Sequence, residues 1–123
     1  MRAYLLESTG PMMPDRPPLV FVEMPEPEPG PGEIRIRVAT CGVCHTELDE
    51  IEGRTAPPRL PVVPGHQVVG YVDACGSDVK LHLSGDRVGV GWIHHSSGDT
   101  DENLSAEFRA TGRDANGGYA EFM

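Results

Sequence analysis

The sequence predicts a mainly β domain with short helical pieces, on three observations. Fifteen glycines and 12 prolines among 123 residues interrupt the chain too often for long helices and suit short strands joined by turns. Residues 33–39 alternate charged and apolar side chains, the period of a strand with one wet face, and other short apolar runs are bounded by turn residues. An apolar fraction of 38% is low but sufficient for a compact unit of this length without disulfides, so residues 1–123 are expected to form one domain.

The elements follow in chain order. Residues 2–6 and 19–23 read as early strands joined by an irregular segment rich in Pro and Met. Residues 25–32, in which Pro alternates with Glu and Gly, read as a stiff turn, because each Pro fixes its own φ. Residues 33–39 alternate charged and apolar side chains and give the clearest strand. Residues 46–52 suit a short helix with acidic side chains near its start and Gly53 as its stop, and Asp49, Glu50 and Glu52 read as its solvated face. Strands are expected over 66–73 and 86–92, with a turn at Gly85-Asp86 between them, and residues 94–114 read as a loop. A last strand begins at Gly117 and runs to Met123.

Charge and cysteine count narrow the function classes. Nineteen acidic against 10 basic residues give a net charge of -9 with no basic run, which repels phosphate backbones and anionic lipid and argues against nucleic-acid and membrane partners. Three cysteines, an odd number, and the lack of a long apolar stretch or leader-like start point to a reduced, cytoplasmic setting.

The chemistry concentrates in two stretches, Cys41-Gly42-Val43-Cys44-His45-Thr46-Glu47 and Pro64-Gly65-His66-Gln67. They are too far apart to share a helix, so only the tertiary fold can bring Cys44 and His66 to one metal. A thiol just ahead of a helix start is favoured as thiolate, the form that ligates metal. Cys41 and Cys75, beside glycines next to strand-like runs, read as packing or idle thiols; His82 and the pair His94-His95 read as surface residues.

Taken together, C-G-V-C-H-T-E at 41–47, L-P-V-V-P-G-H-Q-V-V-G at 60–70, G-D-R-V-G-V at 85–90 and G-G-Y-A-E-F at 117–122 resemble the zinc-dependent medium-chain alcohol dehydrogenases. The resemblance covers the N-terminal catalytic domain of that family, a GroES-like, partly open β-barrel, and not the Rossmann domain that holds NAD(P). It implies a catalytic zinc held by Cys44 and His66, with Gln67 in the place of a Glu that can approach the metal. It further implies Thr46 as the hydroxyl that takes the alcohol's proton, His45 as a contact to the cofactor's pyrophosphate, Glu47 as the acid that orients His66, and Trp92 either in the substrate pocket or filling the barrel's end. Asp49 and Glu50 stand where the family often carries a His as outlet of the proton relay. The substrate implied is a small alcohol or carbonyl compound.

Beyond Gln67, Glu50 and a Glu at 47 where an Asp is usual, the sequence departs from the family in two larger ways. The family's third zinc-ligating Cys has no counterpart here, and residues 91–112, where a four-cysteine structural zinc lobe is usual, contain no Cys. Ser97 and Ser105 stand in for the first and last of those positions in a shortened lobe, so no structural zinc is expected. These departures suggest an engineered or truncated minimal domain, with NAD(P) used only in the full-length parent and a homodimer formed through exposed apolar faces. The alternative is a GroES-like structural or assembly module, or a minimal zinc scaffold with weak hydrolytic side activity.

Overall fold

A computed structural model describes residues 1–123 and folds them into seven short strands, one α-helix and one 3-10 turn. Strands β1 (Arg2–Leu5) and β2 (Val20–Glu23) form an antiparallel ribbon. β3 (Ile34–Cys41), β4 (Val68–Cys75) and β5 (Arg87–Val90) form an antiparallel sheet in that order. β6 (Ile93–His95) pairs with β7 (Arg109–Ala110), and α1 (His45–Glu52) lies between β3 and β4 in the chain. The sheets do not close on one another, so the fold is mainly β and partly open, as the sequence predicts.

The strand predicted at 33–39 forms because its alternation matches a half-buried surface: Ile36 is buried while Arg37 faces out over the Tyr71 ring at 5.6 Å. Register shifts at Arg35/Ile36 and Val38/Thr40 bend the strand, and the Arg35 guanidinium anchors it to Asp73 on β4 at 2.6 Å. α1 stops where expected, at Gly53 with φ of +83°, a conformation that glycine adopts without a Cβ clash. One helix face carries Glu47, Glu50 and Ile51, all buried. The reading of Glu50 as solvated is therefore corrected: positions 47, 50 and 51 share a stripe at helical spacing, and Ile51 draws that stripe inward.

Three boundaries differ from expectation. The strand expected from His66 begins at Val68, because Gly65, with φ of +97°, turns the chain just ahead of it. Residues 94–114 hold the β6–β7 pair and a 3-10 turn at Glu102–Leu104; strands of three and two residues are too short to leave a periodic signal. Residues 117–123 form isolated bridges instead of a strand, Ala120 to Ala3 and Phe122 to Arg37. That segment stitches two sheets: Tyr119 O accepts from Tyr4 N (2.8 Å), while Glu121 O and Met123 O accept from Val38 N (2.9 Å) and Ile36 N (2.8 Å).

The core is small. Leu6, Ile51 and Val62 pack together with Leu19 against them, each buried side chain contributing about 1.5–3 kcal/mol. Total accessible area is 7586 Å² for 13.3 kDa, against roughly 6,450 Å² for a compact monomer of that mass. Part of the excess is apolar: Tyr4, Val20 and Phe21 lie exposed on the β1–β2 ribbon, and a cavity of about 860 Å³ opens beside Ile34, Val90, Ile93 and Phe122.

Candidate metal centre

Cys44 caps the start of α1, where its backbone N–H donates to Glu47 Oε2 at 2.7 Å. A carboxylate three residues into a helix is well placed for this, since it satisfies an N–H the helix cannot and lies at the positive end of the dipole. The other oxygen of the same group, Oε1, has no partner but His66 Nδ1, at 2.8 Å. Glu47, 2% exposed, thus ties the two candidate ligands together. A proton on Nδ1 facing this oxygen would leave the Nε2 lone pair free, the tautomer a metal-binding histidine needs.

The backbone around His66 is pinned from the far end of the chain. Gly117 N donates to Val63 O (2.7 Å), Tyr119 N to Pro64 O (3.0 Å) and Gly118 N to Gly65 O (2.8 Å), while Asn116 Oδ1 accepts from Val63 N (3.1 Å). These contacts require bare backbone: a Cβ on Gly117 would lie 2.1 Å from Gly65 O, and one on Gly65 would meet Cys41 Sγ at 2.8 Å. From the other side, Gly42 N donates to Gln67 O at 2.8 Å, joining the cysteine loop to the histidine loop.

The remaining predicted residues lie as follows. The Thr46 hydroxyl is 3.5 Å from Cys44 Sγ. His45 opens α1 with its side chain outward, its Nε2 3.5 Å from Asp49 Oδ1. Gln67 is exposed and lays its amide oxygen over Gly42. Trp92 packs edge-on to His66, ring centroids 6.3 Å apart, and against Phe108 at 5.4 Å, so it flanks the imidazole while 43% exposed. Cys75 stands apart at the end of β4, near His82 O, and His94 and His95 lie on β6. Ser97 and Ser105 line one small depression in the 3-10 region.

Charge state follows burial. The Glu50 carboxyl is pushed up to about 7 by burial and then by the neighbouring Glu47, with Arg113 Nε 4.0 Å away opposing the shift. Buried in this way, Glu50 is no outlet to solvent. Burial also raises the Cys41 thiol, whose Sγ sits in the packed knot with Gly65 and Gly118. Tyr119 is pushed up to about 12 by burial and by Glu47, Cys41, Cys44 and Glu50 around it. Tyr119 and Asn116 were not singled out from sequence as part of this corner; the run Gly117-Gly118-Tyr119 was the available signal, since paired glycines mark close backbone approach as well as strand starts.

The donor set fits zinc in part. The Glu47 carboxylate meets the Cys44 backbone and the His66 imidazole, a carboxylate–histidine contact of the kind metal-binding histidines make. No group of three or more His, Cys, Asp or Glu side chains converges to hold a metal.

A family model described as the alcohol dehydrogenase GroES-like domain matches residues 30–123. The curated protein "Probable alcohol dehydrogenase AdhA" of Mycobacterium tuberculosis is 42% identical over an alignment covering 99% of this chain and 38% of its own length. An alcohol dehydrogenase of Rhizobium meliloti is 39% identical over 85% of this chain and 33% of its length. The crystal structure of an NAD-dependent alcohol dehydrogenase superposes on the whole chain with a TM-score of 0.86 at 31% identity, the match taking in 36% of that protein. The chain thus matches between about a quarter and two fifths of the length of such relatives. Sequence motifs, open β architecture and these likenesses agree, and the chain belongs to the alcohol dehydrogenase GroES-like domain family.

Proposed function

We propose that residues 1–123 form the catalytic β-domain of a zinc- and NAD(P)-dependent alcohol dehydrogenase, and that Cys44 and His66 hold its catalytic zinc. The observation that carries this reading is the single buried carboxylate of Glu47, which accepts from the Cys44 backbone N–H at 2.7 Å and sets its other oxygen 2.8 Å from His66 Nδ1. A structural module with inherited motifs has no need of a charged group buried to 2% in order to hold a histidine tautomer.

When bound, zinc supplies a Lewis acid that polarises an alcohol or carbonyl oxygen. The chain's own groups do the rest. Glu47 keeps the proton on His66 Nδ1 and fixes the ring plane. Thr46, two residues after Cys44, offers a hydroxyl to accept and pass on the substrate proton. Trp92 and Phe108 form an apolar wall beside His66 that limits water and suits a small alcohol or carbonyl substrate. Gln67 is a neutral oxygen donor within reach of the same loop, and His45 is the candidate contact for a cofactor phosphate at the start of α1. Hydride transfer would need a nicotinamide held within about 3.5 Å of the reacting carbon. The exposed apolar ribbon favours a homodimer. No helix is long and apolar enough to cross a membrane, and a cytoplasmic setting suits three unpaired cysteines.

Zinc titration of metal-free protein tests the assignment. Wild type is expected to bind one equivalent, with affinity falling at least about tenfold in Cys44→Ser and in His66→Ala and holding in His94→Ala. Equal affinity in all four proteins would remove zinc from this corner.

A further inference from the structure

We infer that Tyr119 is a positioning residue for the metal centre, clamping together the two loops that deliver Cys44 and His66. The inference rests on the zinc assignment above for its functional meaning, and on packing for its geometry. Four contacts converge on this side chain and its backbone. Its hydroxyl donates to the Gly42 carbonyl at 3.4 Å, two residues before Cys44. Its ring fills the space that a Cβ on Gly65 would take, with Cδ1 2.7 Å and Cε1 2.9 Å from that position, one residue before His66. Its backbone N–H donates to Pro64 O at 3.0 Å, and its carbonyl accepts from Tyr4 N at 2.8 Å, which fixes the clamp to β1. The third member of the knot is Cys41, whose Sγ lies against the same Gly65 position and 3.6 Å from the same Gly42 carbonyl.

The chemistry of a phenol suits this place. Glu47, Cys41, Cys44 and Glu50 are all acidic groups around the ring, so a second ionisable acid would be repelled; with its pKa pushed up to about 12, the phenol stays a neutral donor across the working pH range. A phenylalanine would keep the wedge against Gly65 and lose the bond to Gly42, whereas leucine would lose both. The two functions of the side chain can therefore be separated.

The test uses the 123-residue chain, with Tyr119→Phe and Tyr119→Leu beside wild type. Amide exchange in the metal-free proteins is read at Gly42, which donates to Gln67 O across the two loops, and at Val72, which donates to Asp86 O within the sheet. Zinc affinity and the absorption spectrum of the cobalt(II)-loaded proteins are read in parallel. Loss of one hydrogen bond predicts Gly42 exchange faster by about fivefold in Tyr119→Phe, with Val72 unchanged and zinc bound about fivefold more weakly. Leucine is expected to enlarge both effects and to alter the cobalt bands, which report ligand geometry. If Gly42 exchanges as in wild type in Tyr119→Phe, or if Gly42 and Val72 accelerate together, the tyrosine serves general stability and the clamp is wrong. A wild type that binds no metal would sink the zinc assignment instead, leaving the exchange at Gly42 to decide the clamp; a leucine variant that fails to fold leaves the phenylalanine variant to do the same.

Discussion

The corner around His66 and the excursion from Ser96 to Phe108 are built on opposite principles. In the corner, backbone meets backbone at Gly117 against Gly65 and at Gly42 N bonded to Gln67 O, and a buried carboxylate touches two segments, Cys44 N and His66. In the excursion, Leu104 is 79% exposed, Gly98 has nothing within 4 Å, and the hydrogen bonds are local, such as Ser96 Oγ to Glu102 Oε2 at 2.6 Å. The difference teaches that the corner around His66 is held by backbone contacts from the terminal stitch, while the excursion reaches it through side chains, Phe108 against Trp92.

Alanine at glycine gives the widest separation between the two. Gly117→Ala forces a Cβ to 2.1 Å from Gly65 O, an overlap only backbone movement can relieve, and is expected to cost about 3 kcal/mol or more or to prevent folding. Gly98→Ala meets open space and pays only for its φ of +77°, about 1–2 kcal/mol. Urea unfolding midpoints measure both; equal losses would erase the contrast.

A second comparison sets Glu47 against Glu102. An amide at 47 cannot accept at both ends, so Glu47→Gln must turn its NH2 toward either Cys44 N–H or His66 Nδ1–H. Zinc affinity is expected to drop about 10- to 100-fold, the usual consequence of losing a group that orients a metal-binding histidine. Glu102→Gln should leave affinity unchanged, and competition against a chromophoric chelator distinguishes the two.

The pH dependence of stability sharpens the corner further. Glu50 has its folded pKa raised from 4.5 to about 7, so the folded chain holds a proton that the unfolded chain has released across that window. Its stabilising contribution is full below about pH 4.5 and is lost as pH rises toward 7, a decline of roughly 1–3 kcal/mol. Glu50→Gln is expected to flatten that decline in denaturation curves measured from pH 4.5 to 8. A slope identical to wild type would show that Glu50 ionises freely.

The smallest effect belongs to the excursion. Leu104→Ala is expected to change stability by less than about 0.5 kcal/mol, since the side chain buries almost nothing. A loss above 1 kcal/mol would mean that the excursion packs on something of consequence.

What could be read from the sequence was what periodicity and local chemistry encode. Alternation at 33–39 located β3 because each side chain there reports its own face, and Gly53 announced the helix stop by the conformation it alone takes cheaply. The stretches that carry Cys44, Glu47 and His66 stand out by their resemblance to a family, and the structure sets Glu47 against the Cys44 backbone N–H and 2.8 Å from His66 Nδ1. Glu50 was misjudged because an acidic side chain weighs as solvated in any composition argument, while its burial is decided by Ile51 next to it and by Arg113 from a distant segment. The β6–β7 pair and the stitch at 117–123 were hidden for a related reason: their partners, Ala110 for Ile93 and Arg37 for Phe122, are set by tertiary proximity with no local pattern of their own.

The stitch also fixes the order in which a growing chain can become a folded one. β3 is complete once Cys41 has been added, yet its outer edge waits for Glu121 and Met123, and β1 waits for Tyr119. At a ribosomal rate of about 5–20 residues per second, that interval of some eighty residues lasts roughly 4–16 s. Throughout it the nascent polypeptide presents the unpaired edges of β1 and β3, a sustained invitation to chaperone binding that lasts until residues 119–123 are made and docked.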